Sequence, residues 1–299
     1  MRFFDLHCDT LYKAVTTGST LDDVNNEVTV SSGKKFSAWT QCMAIWIPDG
    51  ISDNKAVELF EKAYRKLKTD AETFGVSINQ GGELTNLHSF FFTVENALVI
   101  GSDIDRVKTL SECGVRMITL TWNDVNLLGG GADTNMGLTD FGKVCIREFE
   151  NNSIVVDVSH ASEKMFFDVA QCSRRPFVAS HSNSKSICNH RRNLSDEQFC
   201  VIVDRGGIVG INFHRDFLSE SSKSASLKDV LNHTEHFLSL GGEDHLCIGS
   251  DFDGSDIPRK VNSLDKIYNL YEAFLKIGYN EQLVQKIMYD NAHNFFSRF

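Results

Sequence analysis

The sequence predicts a (β/α)8 TIM barrel of the α/β class, and three observations predict it. Eight short apolar runs rich in β-branched and aromatic residues recur along the 299 residues, and segments of helical periodicity separate most of them. No G-x-G-x-x-G follows the first run, and no G-x-x-x-x-G-K-[ST] occurs anywhere, so the fingerprints of an open nucleotide-binding sheet are missing. Continuous apolar runs suit strands buried on both faces of a parallel sheet. Eight β/α units in about 300 residues match a closed barrel better than a doubly wound sheet.

The strands are expected at 2–6, 39–47, 90–94, 115–121, 154–158, 177–180, 208–213 and 246–250. Ala56, Phe60, Ala63, Leu67 and Ala71 form a helical stripe closed by Gly75, and Ile104, Val107 and Leu110 form another closed by Gly114. Ser195 with Gln198, and more weakly Ser226 with Asp229, carry the capping-box spacing that opens a helix. Two further helices, at about 264–277 and 280–291, end the chain. Residues 17–35 are polar, contain Gly33 and read as a loop or hairpin inserted after the first unit. Only three prolines and no low-complexity tract interrupt the chain, so 1–299 reads as one domain.

Lys and Arg total 30 against 40 Asp and Glu, a formal charge of −10 that repels phosphate backbones and argues against nucleic-acid partners. No stretch approaches the roughly 18 apolar residues of a membrane span, and the first residues do not resemble a leader, which points to the cytoplasm with no membrane partner. The eight cysteines are scattered without a C-x-x-C pair, against a disulfide framework or a zinc finger.

The chemistry lies in where ionisable residues fall. His7 and Asp9 follow the first expected strand, Glu95 the third, His160 the fifth, His181 the sixth, and Asp251 with Asp253 the eighth. In a barrel those ends open onto one face, where active sites are assembled from several strands. Imidazoles and carboxylates crowded into a small buried space are costly as bare charges, and a divalent cation resolves the conflict. Ligands of mixed N and O type without thiolate fit zinc or another first-row metal in a catalytic site, and a bridging carboxylate permits two ions about 3.5–4 Å apart. His233 and His236, at i,i+3 spacing, read as a solvated helix face. Arg191 and Arg192, in the loop after the sixth strand, read equally as a surface pair or as a clamp for a carboxylate. Gly129-Gly130-Gly131 reads as a turn.

The strings Asp5-Leu6-His7-Cys8-Asp9-Thr10, Thr119-Leu120-Thr121-Trp122-Asn123, Asp157-Val158-Ser159-His160, Ser180-His181-Ser182, Cys188-Asn189-His190-Arg191-Arg192-Asn193 and Gly249-Ser250-Asp251-Phe252-Asp253-Gly254 together resemble the membrane dipeptidase (renal dipeptidase) family of zinc dipeptidases, peptidase family M19, in its bacterial soluble type. The resemblance runs in order from the first strand to the last helix. It implies an amidohydrolase-like barrel with two zinc ions per chain, His7 and Asp9 on one, His160 and His181 on the other, and Glu95 bridging them. It further implies that Arg192 binds the terminal carboxylate of a dipeptide and that Asp251 handles protons. Homodimers are frequent among such proteins. This chain departs from the mammalian pattern by carrying Trp122 where a histidine follows the Leu-Thr of strand four, and Asn96-Ala97 where a glycine usually follows the glutamate.

The implied reaction is hydrolysis of the peptide bond by a water that bridges the two ions and is acidified to hydroxide. Asp251 would take its proton and pass it to the departing amine. With Trp122 in the histidine position, Asn123 is the side chain nearest in sequence that could assist the oxyanion. Other amidohydrolase-type activities on lactones or cyclic amides, and a catalytically silent metal-binding barrel, are the rival readings.

Overall fold

A computed structural model of the chain describes residues 1–82 and 84–299. Its strands are β1 (Arg2–Cys8), β2 (Ala38–Trp46), β3 (Ser77–Ile78), β4 (His88–Glu95), β5 (Val115–Thr119), β6 (Val155–Asp157), β7 (Val209–Ile211) and β8 (Leu246–Ile248). All pairings between them are parallel, in the order β6-β5-β4-β2-β1-β8-β7. The segment 177–180 closes the ring: Val178 bridges to Asp157 of β6 and Ala179 to Val209 of β7, both in parallel. β3 lies outside this ring and takes the part of the β4 edge at Ser89 and Phe90, below the part paired with β5.

The expected sixth strand therefore exists as a stave hydrogen-bonded on both edges but too short to form a ladder. Val178 N–H donates to the Val156 carbonyl, and Gly210 N–H to the Ala179 carbonyl. The barrel is drawn in tightly here. A side chain at Gly210 or Gly249 would run into the Ser180 carbonyl, so both positions need glycine for the close approach rather than for a turn.

Strand alternation sorts the apolar residues into two layers. Phe4, Leu6, Cys42, Phe91, Met117, Val155, Val178, Ile208 and Cys247 fill the barrel, while Phe3, Phe90, Phe92, Ile118, Val156, Ala179, Val209 and Ile248 face the surrounding helices. The interior layer continues into Tyr289, Phe295 and Phe296, which stopper the end opposite the strand C-termini. Phe296 lies 4.9 Å from Phe91 and 5.7 Å from Phe4, centroid to centroid. Burying each such ring stabilises the fold by about 1.5–3 kcal/mol. This plug explains why helical structure continues past the expected end near 291: the turns from Glu281 pass through a π segment, Lys286–Asp290, into Asn291–Phe296.

The insertion forms no hairpin. It is a loop with one short helix, Val30–Gly33, held by burial of Leu21, Val28 and Val30 and by the Leu21 N–H donating to Asp70. Gly33 lies flat against the Trp39 ring, where any side chain would collide. Both capping boxes form as expected, at Ser195 with Gln198 and at Ser226 with Asp229. Among the described residues no helix is long and apolar enough to cross a membrane.

A candidate metal centre at the barrel mouth

Glu95 ends β4 on the same side as Phe91, so plain alternation carries its carboxylate into the barrel axis. His7 arrives differently. Phe3 belongs to the outer layer, and strict alternation would turn His7 outward with it. The β1–β2 register shifts between Asp5 and Cys8, reversing the parity, so Cys8 joins the outer layer and His7 turns in. His160 and His181 follow β6 and the 177–180 stave; their rings and that of His7 converge, with centroids 3.9 Å apart for His7–His181 and 5.1 Å for His160–His181.

Glu95 faces two ways. Its Oε1 lies 2.8 Å from His160 Nε2 and 3.7 Å from His181 Nε2, and the two Nε2 atoms are 3.0 Å apart. Its Oε2 lies 3.8 Å from His7 Nε2, which is also 3.4 Å from Asp9 Oδ2 and 3.9 Å from Asp251 Oδ1. The tautomers of the imidazole pair follow from their other nitrogens. His160 Nδ1 donates to Asn123 Oδ1 at 2.9 Å. His181 Nδ1 donates at 2.8 Å to Ser180 Oγ, which itself donates to Asp157 Oδ2 at 2.5 Å. Each Nε2 is then a bare lone pair, and both aim at Glu95 Oε1.

A proton on Glu95 can serve one of those contacts and leaves the two nitrogens facing each other unbonded. On the other side, His7 Nε2 and Asp9 Oδ1 are buried without a hydrogen-bond partner among the described residues. Converging lone pairs of N and O type are what a divalent cation requires. Ligand atoms of His7, Glu95 and His181, and separately of His7, Asp9 and Asp251, lie within 4.8 Å of one another, so either set could hold an ion.

The electrostatics divide the site. Burial opposes charge on His7, but the carboxylates of Glu95, Asp9 and Asp251 outweigh it and raise the imidazolium to about 10, so its Nε2 offers a lone pair only once a bound cation displaces that proton. Burial, with Arg192 and His7 nearby, pushes His160 and His181 well below the usual histidine value. Burial also raises the Glu95 and Asp9 carboxyls.

Above these residues opens a cavity of about 320 Å³ lined by Asp9, Trp122, Asn123, Arg192 and Asp251 among others. The structure separates the two arginines that sequence could not. Arg191 lies at the surface with its Nε 2.9 Å from Asp133. Arg192 is 5% exposed, and among the described residues none of its three guanidinium nitrogens has a partner. Its carbon sits 5.3 Å from the Phe217 ring centre, and burial lowers its pKa to about 10. An unpaired buried guanidinium on a cavity wall is a ready fork for a carboxylate.

Asp251 adopts φ +65°, a left-handed conformation uncommon for a residue with a side chain, and its Oδ2 accepts from Asn212 Nδ2 at 3.1 Å. Asn96, in the position expected to suit glycine, takes φ +77°. Asparagine tolerates that region, and its amide secures it by donating to the Ile47 carbonyl and to Asp49. Trp122 lies against Trp46, 4.9 Å between centroids, and Trp46 against Tyr12 at 5.0 Å, which makes one wall of the cavity aromatic. Asn212, Tyr12, Trp46 and His214 carry no sequence signal of their own: Trp46 and Asn212 fall inside expected strands, His214 follows one, and Tyr12 lies in the helix Thr10–Thr17. Gly129 to Gly131 line no part of this cavity. His233 is fully buried rather than solvated, accepting from Ser184 N–H and donating to the Leu218 carbonyl.

Comparison with known proteins agrees with this geometry. The family model described as Membrane dipeptidase (Peptidase family M19) matches residues 1–298. A crystal structure of a dipeptidase, a metallopeptidase of family M19, superposes with a TM-score of 0.92 at 27% identity, covering 100% of this chain and 98% of that one. A metallopeptidase from Rhodobacter sphaeroides, liganded with a phosphinate mimic of the dipeptide L-Ala-D-Ala, gives 0.92 at 26% identity over 100% and 99% of the two chains. An uncharacterized Klebsiella pneumoniae protein from the pqqA 5′ region is 35% identical over 189 residues, 60% of this chain and 70% of that protein.

Proposed function

Because the chain belongs to the membrane dipeptidase family, peptidase family M19, we propose that it is a metallo-dipeptidase that cleaves small dipeptides with two divalent cations, zinc first among them, at the barrel mouth. The observation that carries this reading is the convergence of the bare His160 and His181 nitrogens on Glu95 Oε1, with the partnerless His7 Nε2 and Asp9 Oδ1 across the same carboxylate. His160, His181 and Glu95 would hold one ion; His7, Asp9 and Glu95 the other. Bound there, such ions supply Lewis-acid polarisation of a carbonyl and a water acidic enough to react near neutral pH.

The chain's own groups do the rest. Arg192 binds the free carboxylate of the substrate, and its unpaired nitrogens bring no competing partner to displace. With that end fixed on the cavity wall, the peptide bond of a dipeptide is held over the metal ligands. Asp251 Oδ1 faces the same space and takes a proton there, to be returned to the leaving amine. Trp122 shields the site from water as a wall rather than donating a hydrogen bond. Asn123 also lines the cavity, but its Oδ1 is engaged in orienting His160, so only its amide nitrogen remains to assist the oxyanion.

The eight cysteines are all unpaired, five of them buried, which suits a reducing compartment, and we place the reaction in the cytoplasm. The test is the zinc content of the purified chain together with turnover of L-Ala-L-Ala, L-Ala-D-Ala and the C-terminal amide of each, in wild type and in His160→Ala. Chelator-sensitive hydrolysis of a free dipeptide, lost with the amide and in the variant, is expected. Metal-independent cleavage, or turnover of lactones and cyclic amides in place of every dipeptide, overturns it.

A further inference from the structure

Asp253, two residues beyond Asp251, is a heavily bonded carboxylate at the edge of the mouth, and the cavity chemistry does not use it. Its side chain is 1% exposed. Oδ2 accepts from Thr10 Oγ1 at 2.6 Å, and Oδ1 from Lys13 Nζ at 2.7 Å. The backbone N–H of Glu27 donates to both oxygens, at 3.0 and 3.2 Å. The bond is returned: Asp253 N–H donates to Glu27 Oε2 at 2.7 Å. Glu27 itself belongs to the inserted segment between the first helix, Thr10–Thr17, and β2, and its carbonyl accepts from Leu264 N–H at 2.8 Å.

These bonds span the turn that aims Asp251. Asp251 and Asp253 both adopt left-handed φ, +65° and +63°, on either side of Phe252, whose carbonyl accepts from Asp9 N–H at 2.8 Å. Two such residues in one short turn persist only where surrounding groups over-determine them. Thr10, next to Asp9, and Glu27, in the insertion, hold Asp253 from two independent elements. Glu27, Thr10 and Lys13 do not line the cavity.

We propose that Glu27, with Thr10, is a positioning residue for the reaction: through Asp253 it clamps the inserted segment onto the turn after β8 and so fixes the direction of the Asp251 carboxylate. The inference rests on the dipeptidase reading of the mouth. The clamp works by hydrogen bonds, which makes Glu27→Gln, with its retained acceptor oxygen, the rescuing variant and Glu27→Ala the disabling one. Thr10→Val removes a different strut of the same clamp and keeps the test informative should Glu27→Ala fold poorly.

The experiment measures kcat and KM on L-Ala-D-Ala, and hydrogen exchange of the amides at 251–255 in the metal-free protein, for wild type, Glu27→Ala, Glu27→Gln and Thr10→Val. Misdirecting a reacting group by even an ångström can cost about 100-fold, so kcat in Glu27→Ala and Thr10→Val is expected to fall by roughly tenfold or more with KM within about twofold. Exchange at 251–255 rises in the same two variants, and Glu27→Gln stays near wild type in both measures. The clamp is wrong if Glu27→Ala and Thr10→Val leave kcat and exchange unchanged, or if Glu27→Gln is as damaged as Glu27→Ala. A wild type inactive on every dipeptide refutes the proposed function instead, and the exchange data still decide the clamp.

Discussion

The two halves of the mouth share Glu95 and are otherwise built on opposite plans. The half beside β1 and β8 is rich in negative charge: His7 sits among Glu95, Asp9 and Asp251, and those carboxylates raise it to about 10. The half beside β6 and the 177–180 stave is a pair of neutral imidazoles, each oriented through Nδ1 by a side-chain oxygen, Asn123 Oδ1 for His160 and Ser180 Oγ, backed by Asp157, for His181. One half attracts a cation by charge. The other presents lone pairs whose direction depends on outer hydrogen bonds. The halves therefore fail in different ways.

Glu95→Gln strikes both halves at once and is expected to give the largest effect. It removes the only carboxylate common to the two ligand sets and leaves an amide nitrogen to face one of the imidazole lone pairs. Metal content should fall at both positions, and kcat/KM should drop by well more than the roughly 10–100-fold that the loss of an outer partner costs. Metal analysis after dialysis, with dipeptide kinetics, checks it. Retention of two ions at normal affinity would show that Glu95 does not join the halves.

Ser180→Ala separates the halves. It unlinks His181 Nδ1 from Asp157 and frees the ring to rotate, without touching His7, Asp9 or Asp251. One of two metal affinities should weaken by about 10–100-fold while the other holds. Asn123→Ala should do the same through His160. A two-step chelator titration resolves the affinities, and a uniform loss at both sites would mean that the division into a charge-driven and an orientation-driven half is false.

Much of this was legible in the residues, for a reason that also marks the limit. Strand ends are readable because apolar runs stop where polar residues begin, so Asp9, Glu95, His160, His181 and Asp251 lie at or just past strand ends, while His7, expected beyond the first strand, lies one residue inside its end. The reading stops where placement depends on a partner distant in sequence. The parity reversal that turns His7 inward arises in the pairing of β1 with β2. The 177–180 stave packs closely against Gly210 and Gly249, an approach that only their distant pairing reveals. Arg191 and Arg192 are identical in type and adjacent in sequence, and only the packing of Phe217 and the site of Asp133 tell them apart. His233 is buried against the solvated reading because i,i+3 spacing says which residues share a face and not what covers that face.

His233 also offers the gentlest probe of the imidazole half, since it braces the loop that follows His181 and carries Arg192. Its Nδ1 accepts from Ser184 N–H at 3.1 Å, and Ser184 pairs across the loop with Leu194. That acceptor exists only while the ring is neutral. Burial lowers its pKa from 6.5 to about 4. The unfolded chain therefore binds this proton below pH 6.5 and the folded chain does not until about pH 4, so stability is complete above pH 6.5 and lost as the pH falls through that window. At pH 5 the cost is about 2 kcal/mol. His233→Leu sacrifices two hydrogen bonds and should be less stable than wild type at pH 7.5, but its own loss between pH 7.5 and 5 should be smaller by that amount. Urea unfolding of the metal-free proteins at the two pH values measures the difference. Equal losses would mean that folding does not lower the pKa of His233 and that the loop bearing Arg192 is held by something else.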